Sequence, residues 1–308
     1  MQKPSTKTLI IIAFIGIYVI WGSTYLLNKI SVTELPPLFL AAIRFSIASV
    51  LIFAIAKALK YNLYITKKQL LNSTLVGFLF LVYGNGVFVW ALKYIDSGFG
   101  ALLASTQPLF VLLLMRLMDN KKMQPKSLIG VALGIIGMYL LISQQELVTN
   151  EETLLGIFMI FTCVLGWSYG SVYVAKADVP KNYLVSTGYQ MAIAGILLAV
   201  VSLSLGEEWS SPLTWSPRVQ LAMLALITFG SIGAFTAFNY LLKQVSTEKV
   251  ATSAYVNPIV AMILGWYVLD EKLSTQSIIA AIVLLTGVYF ITSRKRVLPK
   301  EEISKGKP

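Results

Sequence analysis

Residues 101–108 read ALLASTQP, and residues 251–258, 150 positions further on, read ATSAYVNP. Each run is apolar and small, and each closes on a primary amide followed by proline: Gln107-Pro108 and Asn257-Pro258. The two runs sit inside a longer match, because residues 84–143 align with 234–293 without a gap. Apolar identities carry little information between two greasy segments. The informative ones are Lys93/Lys243, Pro108/Pro258, Lys122/Lys272, Ser127/Ser277, Gly137/Gly287, Tyr139/Tyr289 and Ser143/Ser293. Further upstream the halves align less well, at an offset of 146 that sets Trp21 against Trp167, Arg44 against Gln190 and Ala48 against Ala194. The chain is an internal duplication.

Composition fixes the solvent in which the duplicate folds. Of 308 residues, 56% are apolar and only 13% charged, against about 25% charged in an ordinary soluble protein. A soluble fold of this length cannot hide so much apolar surface, and a disordered chain would not carry it. Ten apolar runs are legible, at 8–27, 36–56, 70–92, 97–117, 127–143, 154–175, 182–205, 218–242, 249–269 and 276–292. They are too long for strands and lack the alternation of a membrane barrel. The expectation is an all-α integral membrane protein of ten transmembrane helices. The first run, behind Lys3 and Lys7, is long, lacks a small-x-small cleavage site and is followed by nine more, so it reads as a retained helix and not a leader.

Charge sets the orientation. With the N-terminus in the cytoplasm, 20 of the 25 Lys and Arg residues fall on the cytoplasmic side and four (Lys29, Lys93, Arg218 and Lys272) outside, while Arg44 lies within the second span. That asymmetry puts both termini in the cytoplasm and accounts for the net charge of +11 without nucleic acid as a partner. The units are then residues 1–145 and 146–294, five spans each, with a basic cytoplasmic tail at 295–308. Five is odd, so the second copy enters the membrane from the opposite face and the repeats are inverted, as in many secondary transporters.

Polar residues at membrane depth are the candidate solute contacts. Proline removes one backbone N–H and displaces the carbonyl four residues back, here those of Ala104 and Ala254, and such groups need a partner or a wet cavity. Gln107, Pro108, Asn257 and Pro258 are therefore read as a cavity feature, with a packing kink as the alternative. Arg44 lies eight residues beyond Pro36, roughly 12 Å in at 1.5 Å per residue. It is either snorkelling or a cation that sets the charge preference of the cavity, and Gln190 is its counterpart. Trp21, Ser23, Tyr83, Asn85, Trp167, Tyr169, Asn239 and Tyr255 mix aromatic faces with small polar groups, which suits an organic solute with an apolar body and polar ends. Trp209, Trp215, Tyr61, Tyr64 and largely Trp90 and Tyr240 read instead as the interfacial aromatic belt. Gly130, Gly134 and Gly137, with Ala280, Ala281 and Gly287, read as close-packing faces within the subunit or in a dimer.

Absences narrow the chemistry. There is no histidine, and the one cysteine, Cys163, cannot form an internal disulfide, so neither a His/Cys metal site nor any cofactor is expected. No acid lies deep in a span, which favours a facilitator over a proton-coupled carrier, and no Walker A motif offers ATP.

The ten spans, the five-span halves and the amide-proline pairs resemble the EamA-type members of the drug/metabolite transporter superfamily. The resemblance rests on Trp21-Gly22-Ser23, Arg44-Phe45, residues 101–108 and 251–258, and Asp270-Glu271-Lys272 after the ninth span. The first half departs from that acidic pattern with Asp119-Asn120-Lys121-Lys122. The resemblance implies a bacterial inner-membrane carrier, as monomer or homodimer, that moves amino acids, related metabolites or toxic organic compounds, usually outward. Two other classes stay open at this point. An intramembrane enzyme would need a nucleophile-base pair or paired acids at depth, and a membrane sensor or scaffold would need a signalling domain or long tail.

Overall fold

The computed structural model describes residues 5–119, 125–143, 151–245, 247–250 and 253–292. Among them there is no strand, and each apolar run coincides with a helix. Seven helices are long and apolar enough to cross a membrane: α1 (Thr6–Val32), α2 (Pro37–Ala58), α3 (Lys67–Ala91), α4 (Ser97–Met118), α6 (Glu151–Val174), α7 (Tyr183–Ser204) and α8 (Pro217–Gln244). Three shorter apolar helices complete the set, α5 (Pro125–Ile142), α9 (Ser253–Leu269) and α10 (Thr275–Thr292). The chain is a multi-pass, all-helical membrane protein.

Local chemistry sets the helix starts. Ser5 Oγ accepts from Thr8 N at 3.2 Å, Thr66 and Gln69 form a capping box on α3, and Asn182 Oδ1 accepts from Leu184 and Val185 N on α7. Helix α1 runs five residues past its apolar run because Asn28 and Ser31, polar by type, are buried there. The outward faces are apolar: Val50, Leu71, Phe158, Ile196 and Leu221 are all more than half exposed, the pattern of a bundle whose solvent is lipid.

Packing respects the duplication. Helix α2 packs along α7, and α5 along α10. Helix α1 touches α8 and α9, and correspondingly α6 touches α3 and α4. Exchanging each helix for the one five places on leaves these pairings in place. At the α5/α10 crossing, a Cβ on Gly137 would lie 2.9 Å from Leu284 N, and one on Gly287 2.8 Å from Gly130 O. The small-residue faces therefore serve an intrasubunit helix contact.

The two ends of the bundle differ in how they are tied. At one end, buried Glu271 accepts from Ser97 N (2.8 Å), Ser97 Oγ (2.7 Å) and Gly98 N (3.0 Å) at the start of α4. Glu207 accepts from Leu38 N and Phe39 N at the start of α2, and from Ser202 Oγ. Glu34 accepts from the backbone N–H and hydroxyl of Ser216, the N-cap of α8. Each carboxylate caps a helix of the other half, where the helix dipole also favours an anion. Lys29 Nζ donates to the carbonyls of Leu92 and Ile95 at the same end. At the opposite end the half-to-half links centre on Asp178, which receives Gln69 Nε2 on its carboxylate (3.1 Å) and Asn72 Nδ2 on its carbonyl (2.8 Å).

Two of the expected belt aromatics are buried instead. Trp215 packs on Phe39 and donates to Ser210 Oγ, and Tyr240 packs on Tyr183. Trp209, Tyr61 and Tyr64 are exposed as a belt requires.

Truncating Glu271 to alanine leaves two N–H groups and a hydroxyl unpartnered, and each such loss costs about 1–3 kcal/mol. The melting temperature of the detergent-solubilised protein is expected to fall by several degrees, less for Glu271→Gln, which keeps an acceptor. Asp96, beside this cap, behaves oppositely. Burial first, then the negative charge of Glu271, pushes its carboxyl above the usual range, with Lys29 opposing. Asp96 therefore costs no stability below the ordinary carboxylate pKa and becomes unfavourable as pH rises past it. Asp96→Asn is expected to raise the melting temperature at neutral pH, and the gain should vanish near pH 3; a gain independent of pH would contradict this.

Candidate functional site

A cavity of about 110 Å³ lies between the halves, walled by helices from both. Its polar floor comes from the two proline motifs. Helix α4 breaks at a turn over residues 105–106 and restarts at Gln107. In the second half a short helix, Thr247–Val250, precedes α9, which carries Pro258 inside its first turns. Ala104 and Ala254, whose carbonyls the prolines displace, both line the cavity, as do Ser105, Gln107, Ser253 and Asn257. A broken helix in the apolar slab is tolerated where it meets protein or a wet cavity, and the break at residues 105–106 does so here.

The duplicated amides differ in their use. The Gln107 side chain lines the cavity. Asn257 is turned so that its amide nitrogen donates to Ile17 O (2.9 Å), Tyr18 O (2.9 Å) and Ser253 O (3.3 Å). Ile17 and Tyr18 lie in a π-helical stretch of α1, Gly16–Ile20, where the regular ladder is disturbed. Asn257 thus holds the loosened backbone of α1 against α9. Helices α3 and α8 carry matching π-helical stretches, Phe78–Val87 and Leu226–Phe235, and both turn residues into the cavity: Leu81, Gly84 and Asn85 from one, Gly230, Ser231 and Phe235 from the other.

One side of the cavity is aromatic. Trp21 and Trp167, counterparts in the two halves, meet edge to face at 5.7 Å. Phe238 lies 4.9 Å from Trp21, Phe80 lies 4.8 Å from Trp167, and Phe235 completes the group. Trp21 Nε1 donates to Gly230 O at 3.3 Å. The glycines permit this closeness: a Cβ on Gly84 would lie 2.9 Å from the Trp167 ring, and one on Gly22 2.7 Å from Val260 Cβ.

Arg44 also lines the cavity. It is 3% exposed, donates from Nε to Ser231 Oγ (2.8 Å) and from Nη1 to Asn28 Oδ1 (3.3 Å), and lies 5.0 Å over the Phe45 ring. It does not snorkel. Among the described residues it is the only charged one lining the cavity. Among the described residues there is no group of His, Cys, Asp or Glu that could hold a metal ion.

The sequence-derived candidates divide by helix face. Trp21, Arg44, Asn85, Gln107, Trp167, Asn257 and Pro258 line the cavity; Ser23, Tyr83, Pro108, Tyr169, Gln190 and Asn239 do not. Ser23 Oγ bonds its own helix at Ile20 O. Tyr83 packs beside Gly166 and stacks on Phe78, and Tyr169 stacks on Tyr173. Gln190 and Asn239 are buried and satisfy each other: Asn239 Nδ2 donates to Thr187 Oγ1 and Gln190 Oε1, and Gln190 Nε2 to Ser186 Oγ. The side chain of Tyr255 lies outside the described residues. Asn28, Ser231, Thr24 and Tyr25 line the cavity without having been singled out from the sequence. Their signal was present in part, because positions 21, 24, 25 and 28 share one face of α1.

Comparison with known proteins gives a consistent picture. The model of the EamA-like transporter family matches residues 8–143 and 154–293, once per half. The Uncharacterized inner membrane transporter YedA of Escherichia coli K12 is 34% identical over 292 residues, spanning 94% of this chain and 93% of that protein. The Uncharacterized transporter YoaV of Bacillus subtilis is 23% identical over 94% of this chain and 99% of its own. A protein named Probable amino-acid metabolite efflux pump, from Escherichia coli K12, is 24% identical over 89% and 91%. A solved crystal structure at 21% identity superposes with a TM-score of 0.69 over 93% of this chain and 96% of that one, which is a likeness of fold.

The touching tryptophans give a direct check on this geometry. Trp21→Ala and Trp167→Ala are each expected to cost about 3–5 kcal/mol, and the double variant less than the sum, by about 0.5–1.5 kcal/mol for the lost ring contact. A double-mutant cycle on equilibrium unfolding measures this; strict additivity would mean that the rings do not meet.

Proposed function

The chain belongs to the EamA-like transporter family, and from that premise we propose that it carries a small organic solute, such as an amino acid, a related metabolite or a drug-like compound, across the inner membrane by alternating access and without ATP. The family and its named relatives are transporters, not enzymes. The observation that carries the finer reading is the cavity beside the two proline-bearing helices, α4 and α9, walled by both halves.

In this reading the ten helices form two five-helix repeats of opposite orientation. The exchange-symmetric packing supports it. So does the start of α6, where Thr153 borders the same cleft as Lys29 near the end of α1, so that α1 finishes where α6 begins. Two inverted copies can exchange conformations at little energetic cost, giving outward-open and inward-open states that share one site. The charge bias places the Glu271 end outside and both termini in the cytoplasm. Gln107 and Asn85 would hydrogen-bond the solute, Trp21 and Trp167 would pack on its apolar part, and Asn257 would hold the site's backbone.

Efflux of a panel of amino acids and drug-like compounds from proteoliposomes tests this. A Gln107→Ala/Asn85→Ala double variant is expected to lose at least about 90% of transport, the effect of removing two hydrogen bonds at about 1 kcal/mol each. Undiminished transport would remove these residues from the site. Reporter fusions at the C-terminus should report cytoplasmic; a periplasmic signal would reverse the assigned orientation.

A further inference from the structure

Arg44 is a buried cation with neutral partners only. Its described contacts are a hydroxyl, an amide oxygen and a ring face, and no Asp or Glu lines the cavity it borders. A guanidinium offers five N–H donors, and the contacts with Ser231 and Asn28 use two of them. A charge held in this way at membrane depth is costly unless paired, and replacing it by a neutral amide, as Gln190 does at the equivalent place in the other half, would remove the cost.

The guanidinium reaches the cavity, whose lining includes Arg44. A Cβ on Gly230 would lie 2.9 Å from Thr24 Cγ2 and 3.2 Å from Arg44 Nη2, so the absent side chain lets α8 pack close to the one guanidinium nitrogen that has no described bond. The tryptophan-phenylalanine group faces the same space.

Building on the transport reading, we propose that the solute is an organic monocarboxylate, whose carboxylate pairs with Arg44 while an apolar or aromatic body lies against Trp21 and Trp167. The fork of a guanidinium matches two carboxylate oxygens in one plane. A single cation neutralises a single negative charge, so dianions such as phosphate monoesters or dicarboxylates would leave an unpaired charge in the cavity.

Matched ligands test this without relying on transport. An aliphatic, a phenyl and an indole acid, each beside its primary amide and the corresponding amine, are compared by thermal shift on the purified protein. At least one acid is expected to raise the melting temperature at concentrations where its amide and amine do not. Arg44→Gln should abolish that preference and leave the unliganded melting temperature no lower than wild type. Arg44→Lys should retain the preference with affinity at least tenfold weaker. No acid outranking its amide in the wild type, or a preference that survives in Arg44→Gln, overturns the proposal. So does an Arg44→Lys variant that folds but shows no preference. Proteoliposome uptake separates this from the transport reading: acids that bind but do not move would sink transport and leave the pairing intact, while neutral compounds carried as fast as acids would do the reverse.

Discussion

In a medium without water, every backbone and side-chain polar group must be satisfied by the protein itself or by an aqueous cavity that the protein encloses. That constraint governs the architecture here. Most of the chain meets it with uninterrupted helices. Helix α4 breaks just before Gln107-Pro108, α9 runs through Pro258, and residues next to both prolines line a shared cavity. The π-helical stretches of α1, α3 and α8 lie around the same space, and the one beside α9 is held by Asn257. Irregular backbone is thus confined to where it can be satisfied, and the same confinement makes a polar site in an otherwise apolar bundle.

Duplication supplies the frame, and divergence between the copies supplies the chemistry. Trp21 and Trp167 kept their identity and meet near the join between the halves. Arg44 and Gln190 diverged: the arginine faces the cavity, while the glutamine is absorbed into a buried amide network with Asn239 and Thr187. Gln107 and Asn257 kept an amide but divided the work, one facing the cavity and one bracing α1. A perfectly symmetric cavity would present the same groups to a solute from both sides. This one presents an aromatic group together with a single guanidinium, so it can orient what it binds.

The helices were legible because apolar runs of that length have few alternatives, whereas the proposed inversion of the halves rests on the odd number of runs in each. The site was legible only by residue type. Ser23 and Trp21 are neighbours in sequence, yet Ser23 is bound to its own helix and Trp21 faces the cavity. Tyr83 and Asn85 separate in the same way. Sequence gives the depth of a residue more readily than its face, and in a bundle buried on several sides the apolar period that would reveal the face is weak. Asn28 illustrates the converse. It lies past the end of an apolar run, where a polar residue suggests a loop, but the helix continues and buries it as the partner of Arg44. Trp215 and Tyr240 failed as belt residues for a related reason, since aromatic type alone does not distinguish a ring packed between helices from one at the lipid surface.

The two ends of the bundle suggest where the work of the proposed cycle falls. Glu34, Glu207 and Glu271 each cap a helix of the opposite half at one end, with backbone N–H groups as the donors. When the halves separate, such N–H groups need another acceptor, a side chain or water. At the Asp178 end the cross-half links come from Gln69 and Asn72 on Asp178, from Tyr173 on Asn72 Oδ1 and from Tyr189 on the carbonyl of Leu63. In the proposed cycle, opening the carboxylate end would free three helix starts, with Glu271 buried, Glu207 half-buried and Glu34 exposed, whereas opening the other end would part side-chain donors from their acceptors. In the proposed cycle, the end tied by carboxylates to backbone N–H groups would be the harder one to open, because each of its caps serves the start of a helix in the other half.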